Sequence, residues 1–140
     1  MAAATSIMRA QQIVLARVDE ALKPFALTFA RYEALVLLTF SSRGSLPLGK
    51  MGERLMIHPT SVTNIVDRLE AQELVRRLPH PSDRRTTLCE ITPEGRRLAE
   101  RATEAVTAVE LGIAGLSARE VDLLVALLGK LRRASGDFDG

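Results

Sequence analysis

The sequence predicts a mainly α-helical fold with one small β-hairpin, and three observations support this class. Six segments carry apolar residues at helical spacing, whereas residues 74–78 and 87–91 show the partial alternation of extended strands. Hydrophobic residues make up 46% of the chain but aromatic residues only 4%, a composition typical of packed helices. The length of 140 residues predicts one domain covering residues 1–140.

Two helices are predicted before the middle of the chain, at residues 6–22 and 29–41. Pro24 ends the first, because proline disfavours helical backbone in the residue before it. The second is apolar around nearly all of its circumference, which predicts a buried position. Residues 41–44 are rich in Ser and Gly and predict a loop, and residues 46–48 are short and extended.

A helix-turn-helix follows, with a short helix at residues 49–56 and a second helix beginning at Pro59. Pro59 suits the first helical position, where its missing N–H costs nothing, and His58 is then the N-cap. The second helix has an apolar back and a front of short hydrogen-bonding side chains, which could fit the major groove of DNA. A plain amphipathic surface helix explains the same pattern equally well. The outward-facing residues are Thr60, Ser61, Thr63, Asn64, Asp67 and Arg68; all but Asp67 are the five front residues expected to face DNA.

The two extended segments at residues 74–78 and 87–91 predict a β-hairpin, or wing, with a basic tip. Arg84 and Arg85 at this tip are solvated charges in the simplest interpretation. Their place directly after a helix-turn-helix favours DNA contact instead, because a guanidinium on a thin hairpin can enter the narrow minor groove. We expect Asp83 to hold the guanidinium of Arg85 through a salt bridge, which would reduce the rotamer entropy lost on binding.

Two more helices are predicted after the hairpin. Thr92 is placed as the N-cap of a long helix over residues 93–114. Ser117 begins a capping box, which predicts the last helix at about residues 118–134. Residues 136–140 are expected to form a frayed acidic tail.

The terminal helices predict a homodimer. The winged helix-turn-helix, a DNA-binding lobe, covers residues 29–92, so the helices at residues 6–22 and 93–134 lie outside it. Left in solvent, their apolar stripes would exceed the few hundred Å² normal for a monomer. A two-fold dimer in which they interdigitate buries these stripes and sets two recognition helices about 34–36 Å apart, as a pseudo-palindromic site requires. The alternative is one larger monomeric core.

The distribution of charge favours a nucleic-acid partner, and the small number of His and Cys residues argues against a metal site or an enzyme. Residues 43–97 hold 10 Lys and Arg against 7 Asp and Glu, whereas residues 98–140 hold 5 against 7, so the positive excess surrounds the helix-turn-helix. His58, His80 and the single Cys89 are too few and too far apart for a metal set, and no glycine-rich phosphate loop is present. We therefore expect no enzyme, no metal and no cofactor. The lone cysteine, without a visible signal or membrane segment, fits a cytoplasmic protein.

Several motifs resemble those of the MarR family of bacterial transcriptional regulators, and the resemblance covers nearly the whole chain. It implies a dimeric winged-helix protein that binds operator DNA, commonly as a repressor that a small effector releases. Asp83 and Arg85 match the wing pair, with Arg85 in the minor groove, and the five front residues match the helix that faces the major groove. The motifs are Val66-Asp-Arg-Leu-Glu70, Leu74-Val-Arg-Arg77, Ser82-Asp-Arg-Arg85 and Leu88-Cys-Glu-Ile-Thr-Pro-Glu-Gly95.

The chain departs from the family pattern at two positions. Glu73 stands where members often have Gly, so it must accept the backbone of a helix C-terminus or the helix ends differently. His80 stands where members often have Asp, which is expected to remove a turn-capping carboxylate and loosen the wing.

The resemblance also implies a phenolic or anionic effector, for which Arg31, Tyr32 and His58 are candidate contacts. Each has a plain alternative: a surface charge, a core residue and a helix cap, respectively. Cys89 lies on a wing strand, whereas peroxide-sensing members carry their reactive cysteine in the N-terminal helix, so a structural role is expected. The alternative function is a winged-helix module that binds a protein and not DNA, against which the basic tip and the small polar front argue.

Overall fold

Six helices and a three-stranded antiparallel sheet make up the computed structural model, which describes residues 1–137. This confirms the predicted class. Residues 138–140 of the expected acidic tail lie outside the described residues. The elements are α1 (Ala2–Leu22), α2 (Phe29–Phe40), β1 (Ser45–Pro47), α3 (Leu48–Leu55), α4 (Pro59–Ala71), β2 (Val75–Pro79), β3 (Thr87–Ile91), α5 (Pro93–Ala108) and α6 (Ala118–Ala134).

The sheet contains the predicted hairpin and one strand more. β2 and β3 pair antiparallel from Val75 opposite Ile91 to Pro79 opposite Thr87. β1 pairs with the other side of β3, so the order is β1-β3-β2. The extended segment predicted at residues 46–48 is therefore part of the sheet, shifted by one residue towards the N-terminus.

The prediction of one long helix over residues 93–114 is wrong at the C-terminal end. α5 ends at Ala108, and a 3-10 turn over Glu110–Gly112 follows, with left-handed backbone at Glu110 and Leu111. A contact with α1 accompanies this break. Arg17 donates to the carbonyl oxygen of Gly112 at 3.0 Å, and a Cβ on Gly112 would lie 2.9 Å from the carbonyl oxygen of Val14.

The core surrounds α2, which packs against α1, α3, α4 and α5. Close approach of α5 to the wing depends on Gly95, because a Cβ there would lie 2.2 Å from the carbonyl oxygen of Leu74. No helix among residues 1–137 is long and apolar enough to cross a membrane. The largest wholly buried side chains are Leu22, Leu35, Leu38, Met51 and Leu69.

α6 and the first half of α1 stand apart from this core. Along α6, Gly129 is the one buried residue within the described chain, although the helix carries several leucines. α1 has its buried residues, Val18 and Leu22, at its C-terminal end. α6 begins with the predicted capping box, in which Ser117 and Glu120 exchange side-chain and backbone hydrogen bonds.

Candidate nucleic-acid interface

α4 begins as its sequence predicts. Pro59 occupies the first turn, and Nδ1 of His58 accepts a hydrogen bond from the backbone N–H of Thr60 at 3.1 Å. The backbone carbonyl of His58 also accepts from Ser61 and Val62. The apolar back of α4 is buried in the core through Val62, Val66 and Leu69, so its orientation relative to α3 is fixed by packing.

The front of α4 is open to solvent. Thr63 donates its hydroxyl proton to the carbonyl oxygen of Pro59 at 3.1 Å, which leaves its oxygen able to accept. The other front side chains make no hydrogen bond or ion pair within residues 1–137, so their donors and acceptors are available to a ligand. The exposed front residues are the five predicted ones, Thr60, Ser61, Thr63, Asn64 and Arg68.

The wing tip is held by Asp83, but not in the predicted way. Its carboxylate accepts hydrogen bonds from the backbone N–H of Arg85 and from the hydroxyl of Thr86, each at 2.9 Å. These bonds, that of the Arg85 N–H foremost, lower the pKa of Asp83. The expected salt bridge to the Arg85 guanidinium is wrong, because a carboxylate two residues earlier in a turn reaches the backbone N–H. Arg84 and Arg85 are exposed and form no ion pair within the described residues.

His80 supplies a turn cap instead of removing one. Its Nδ1 accepts a hydrogen bond from the backbone N–H of Ser82 at 3.1 Å, and the backbone N–H of His80 donates to the carbonyl oxygen of Thr86 at 3.2 Å. The carboxylate expected to be missing at this position is thus replaced by an imidazole acceptor, and the turn keeps a side-chain cap. A loosened wing stays a prediction.

Glu73 accepts the strained backbone at the end of α4. Its φ of +61° lies in the left-handed region, which favours glycine. Its N–H donates to the carbonyl oxygen of Glu70, and its carbonyl accepts from the hydroxyl of Thr92 at 2.8 Å. These bonds hold the short connection between α4 and the wing.

Arg77 joins α4 to the wing, a role that the sequence prediction missed. Its guanidinium contacts Asp67 at 2.5 Å and Glu70 at 2.8 Å, and its backbone N–H donates to Glu70 at 2.8 Å. The bonds from Arg77, the backbone one foremost, lower the pKa of Glu70. The sequence signal that could have revealed this contact is strand alternation. It sends the adjacent Arg76 and Arg77 to opposite faces of β2, so that only one of them can face α4.

The candidate effector residues do not meet in one cavity. Tyr32 lines a groove of about 570 Å³ between α2 and α5, together with Phe40, Glu100 and others, and its hydroxyl bonds to that of Thr103 at 2.8 Å. Arg31 lies outside that lining and donates to the carbonyl oxygen of Ala26. His58, the cap of α4, is also not part of it.

Cys89 is fully buried on β3. Burial raises the pKa of its thiol to about 12, so the reactive thiolate is suppressed at neutral pH. The structure thus agrees with the structural role expected for this residue.

Known proteins with similar sequence and structure are bacterial regulators. The family model described as MarR family matches residues 30–87. Sco5413, a MarR family transcriptional regulator from Streptomyces coelicolor, is 56% identical with a TM-score of 0.94, and the alignment covers 100% of this chain and 97% of that one. The HTH-type transcriptional regulator YhbI of Bacillus subtilis is 35% identical over 117 residues, which are 84% of this chain and 71% of YhbI. A mutant MarR from E. coli, solved in complex with operator DNA, is 26% identical with a TM-score of 0.83 and 91% of each chain covered.

Proposed function

Because this chain belongs to the MarR family of transcriptional regulators, we propose that it represses transcription in the cytoplasm as a homodimer bound to a pseudo-palindromic operator. The observation that carries this proposal is the combination, on one lobe, of an open polar helix front with a wing of exposed arginines. The complex of the similar E. coli MarR mutant with operator DNA supports it. We place the DNA-binding lobe at residues 29–92.

In this proposal α4 occupies the major groove. Asn64 is suited to pair through its amide with an adenine edge, and Thr63 offers a hydroxyl oxygen and a methyl group to neighbouring bases. Thr60 and Ser61 lie in the first turn, where hydroxyl and backbone N–H groups suit phosphate oxygens. Arg68 adds a charge for the phosphate backbone. Changes at Thr63 or Asn64 would then alter which bases are preferred.

The wing occupies the adjacent minor groove. Arg85 enters it, because the narrow groove concentrates negative potential, and Arg84 contacts the flanking phosphates. Asp83 does not touch DNA in this scheme. It fixes the backbone from which both arginines project, through its bond to the Arg85 N–H.

A dimerisation lobe formed by residues 6–22 and 93–134 explains where the exposed apolar surface lies. Within the described chain, the exposed large hydrophobic residues lie before residue 14 or after residue 108, except for Phe40 and Met56. A second copy that covers these helices removes the exposure, and its two-fold axis repeats the DNA-binding lobe at the spacing of a palindrome.

The test uses a labelled duplex that the protein selects from random-sequence DNA, which then defines its operator. Its binding is measured over a range of salt concentrations. We expect affinity to fall steeply with salt through counterion release, and Arg85→Ala to cost about 1–3 kcal/mol of binding with the fold intact. Lys23→Ala, which removes one positive charge from an exposed position outside both lobes, is the control and leaves affinity near that of the parent. A flat salt response, or equal affinity of Arg85→Ala and parent, would favour a protein-binding module instead.

The groove beside Tyr32 is the proposed effector site. A phenol fits it better than an anion does, because Phe40 offers a ring face while Glu100 and Glu104 on α5 would repel a carboxylate. Addition of a phenol is expected to weaken DNA binding by the parent and not by a Phe40→Ala variant. If both proteins respond alike, the effector acts at another site.

A further inference from the structure

We propose that Arg77 is a positioning residue for DNA binding, which fixes the wing against the recognition helix α4 so that both grooves are engaged at once. The inference rests on the proposed function and concerns a residue that does not itself touch DNA. It follows from three bonds that cross from one DNA-contacting element to the other.

The three bonds close a ring between α4 and the wing. Two of them reach Glu70, one from the Arg77 guanidinium and one from its backbone N–H, and the third reaches Asp67, one turn earlier on α4. The covalent connection between α4 and β2 is short and contains the left-handed Glu73. The base of the hairpin is also held by the pairing of β3 with β1 and by the buried side chains of Val75, Cys89 and Ile91. The clamp formed by these three bonds adds a direct polar attachment of β2 to α4, the helix whose position relative to the wing matters for DNA binding.

The donors of Arg77 are committed inside the protein. Its side chain is 28% exposed and spans two carboxylates, a bidentate arrangement that suits a guanidinium and that lysine cannot reproduce. The neighbouring Arg76 is 55% exposed and pairs with Glu90 across the sheet, without reaching α4. Arg76 thus has the same charge and the same strand but no crossing bond, and is a matched control.

Charge masking is the competing explanation. Asp67 and Glu70 lie on the recognition helix, where unpaired carboxylates would repel phosphates, and Arg77 compensates them. Masking and positioning predict different consequences of replacing Arg77. Masking changes the affinity of the whole protein, whereas positioning changes specifically the benefit obtained from Arg85 at the wing tip.

A double-mutant cycle separates them. The loss of operator affinity caused by Arg85→Ala is measured in the parent, in Arg76→Gln and in Arg77→Gln, with hydroxyl-radical footprints of each complex. We expect a loss of about tenfold or more in the parent and in Arg76→Gln, but less than about threefold in Arg77→Gln, whose minor-groove protection is missing. An equal loss in all three backgrounds overturns the inference and leaves the proposed function intact. No loss in the parent overturns the wing contact, and this inference with it.

Two further variants complete the test. The triple variant Asp67→Asn/Glu70→Gln/Arg77→Gln has no carboxylate charge to mask. We expect Arg85→Ala to cause less than about a threefold loss of operator affinity in this background, as in Arg77→Gln. A return to the loss seen in the parent would assign the effect to charge masking and overturn the inference. If Arg77→Gln does not fold, as judged by circular dichroism, Asp67→Ala/Glu70→Ala with Arg77 retained removes the acceptors and opens the clamp from the other side. The same two outcomes then apply to it.

Discussion

Cys89 illustrates how burial at one residue couples stability to pH. Its thiol pKa is about 12 in the folded protein, chiefly because of desolvation, against an ordinary value of 9.0. Between these two pH values the unfolded chain releases the thiol proton and the folded protein retains it. Stability is therefore fully present below pH 9.0 and is lost as the pH rises towards 12.

The free energy of unfolding of the parent is expected to fall in that window by about 1.4 kcal/mol per pH unit more than that of Cys89→Val, which has no thiol to ionise. Urea denaturation of both proteins at a series of pH values between about 8 and 11 measures the difference, and other titrating groups cancel in the comparison. Parallel pH profiles would show that the thiol is not desolvated as described.

Single side chains at the wing were only partly predictable. The sequence identified Asp83, Arg84 and Arg85 as a group, because charge and turn composition are visible in it. It did not identify which donor Asp83 would satisfy, since the carboxylate can reach either a guanidinium or a backbone N–H. His80 was misjudged for a related reason, because an imidazole nitrogen caps a turn as a carboxylate does.

At the scale of elements, the sequence predicted those helix and strand boundaries that depend on residues nearby in the chain. It missed the boundaries that depend on contacts with other elements. The start of α4 and the capping box of α6 were predicted because cap residues act within one turn. The end of α5 was missed, because apolar spacing continues past Ala108 while the contact of Gly112 with α1 accompanies a break there. The pairing of β1 was missed because three residues are too few to alternate, and pairing with β3 defines this strand.

The clamp at Arg77 belongs to neither element alone. Its partners Asp67 and Glu70 are three residues apart on a helix, an ordinary pattern for a solvated face. Their significance depends on where β2 returns beside α4. The sequence could therefore suggest candidate DNA contacts on α4 and the wing, but not the Arg77 contacts that join these two elements.

At the scale of the whole molecule, α6 carries an apolar face that the rest of the described chain leaves largely exposed. Leu123, Val125, Leu127 and Leu131 are each more than half exposed. We expect the purified protein to sediment as a dimer, and Leu127→Glu to sediment as a monomer that remains folded, because this side chain has no contact to lose in its own core. The measurement is analytical ultracentrifugation with circular dichroism.

Met56→Glu is the control for that experiment. Met56 and Leu127 are both 65% exposed, but Met56 lies in the helix-turn-helix. The Met56→Glu variant should therefore sediment as a dimer, as the parent does. A monomeric parent would refute the two-fold arrangement, and a dimeric Leu127→Glu would remove α6 from the interface.

The two imidazoles give this protein a built-in spectroscopic label. The chain contains two histidines, and each accepts a backbone hydrogen bond through Nδ1, one at the start of α4 and one in the wing turn. While neutral, both rings are thereby fixed as the Nε2–H tautomer. A nitrogen-15 spectrum of histidine-labelled protein should accordingly contain one pair of ring signals from the start of α4 and one pair from the wing turn, so that the ordering of helix and hairpin can be followed separately.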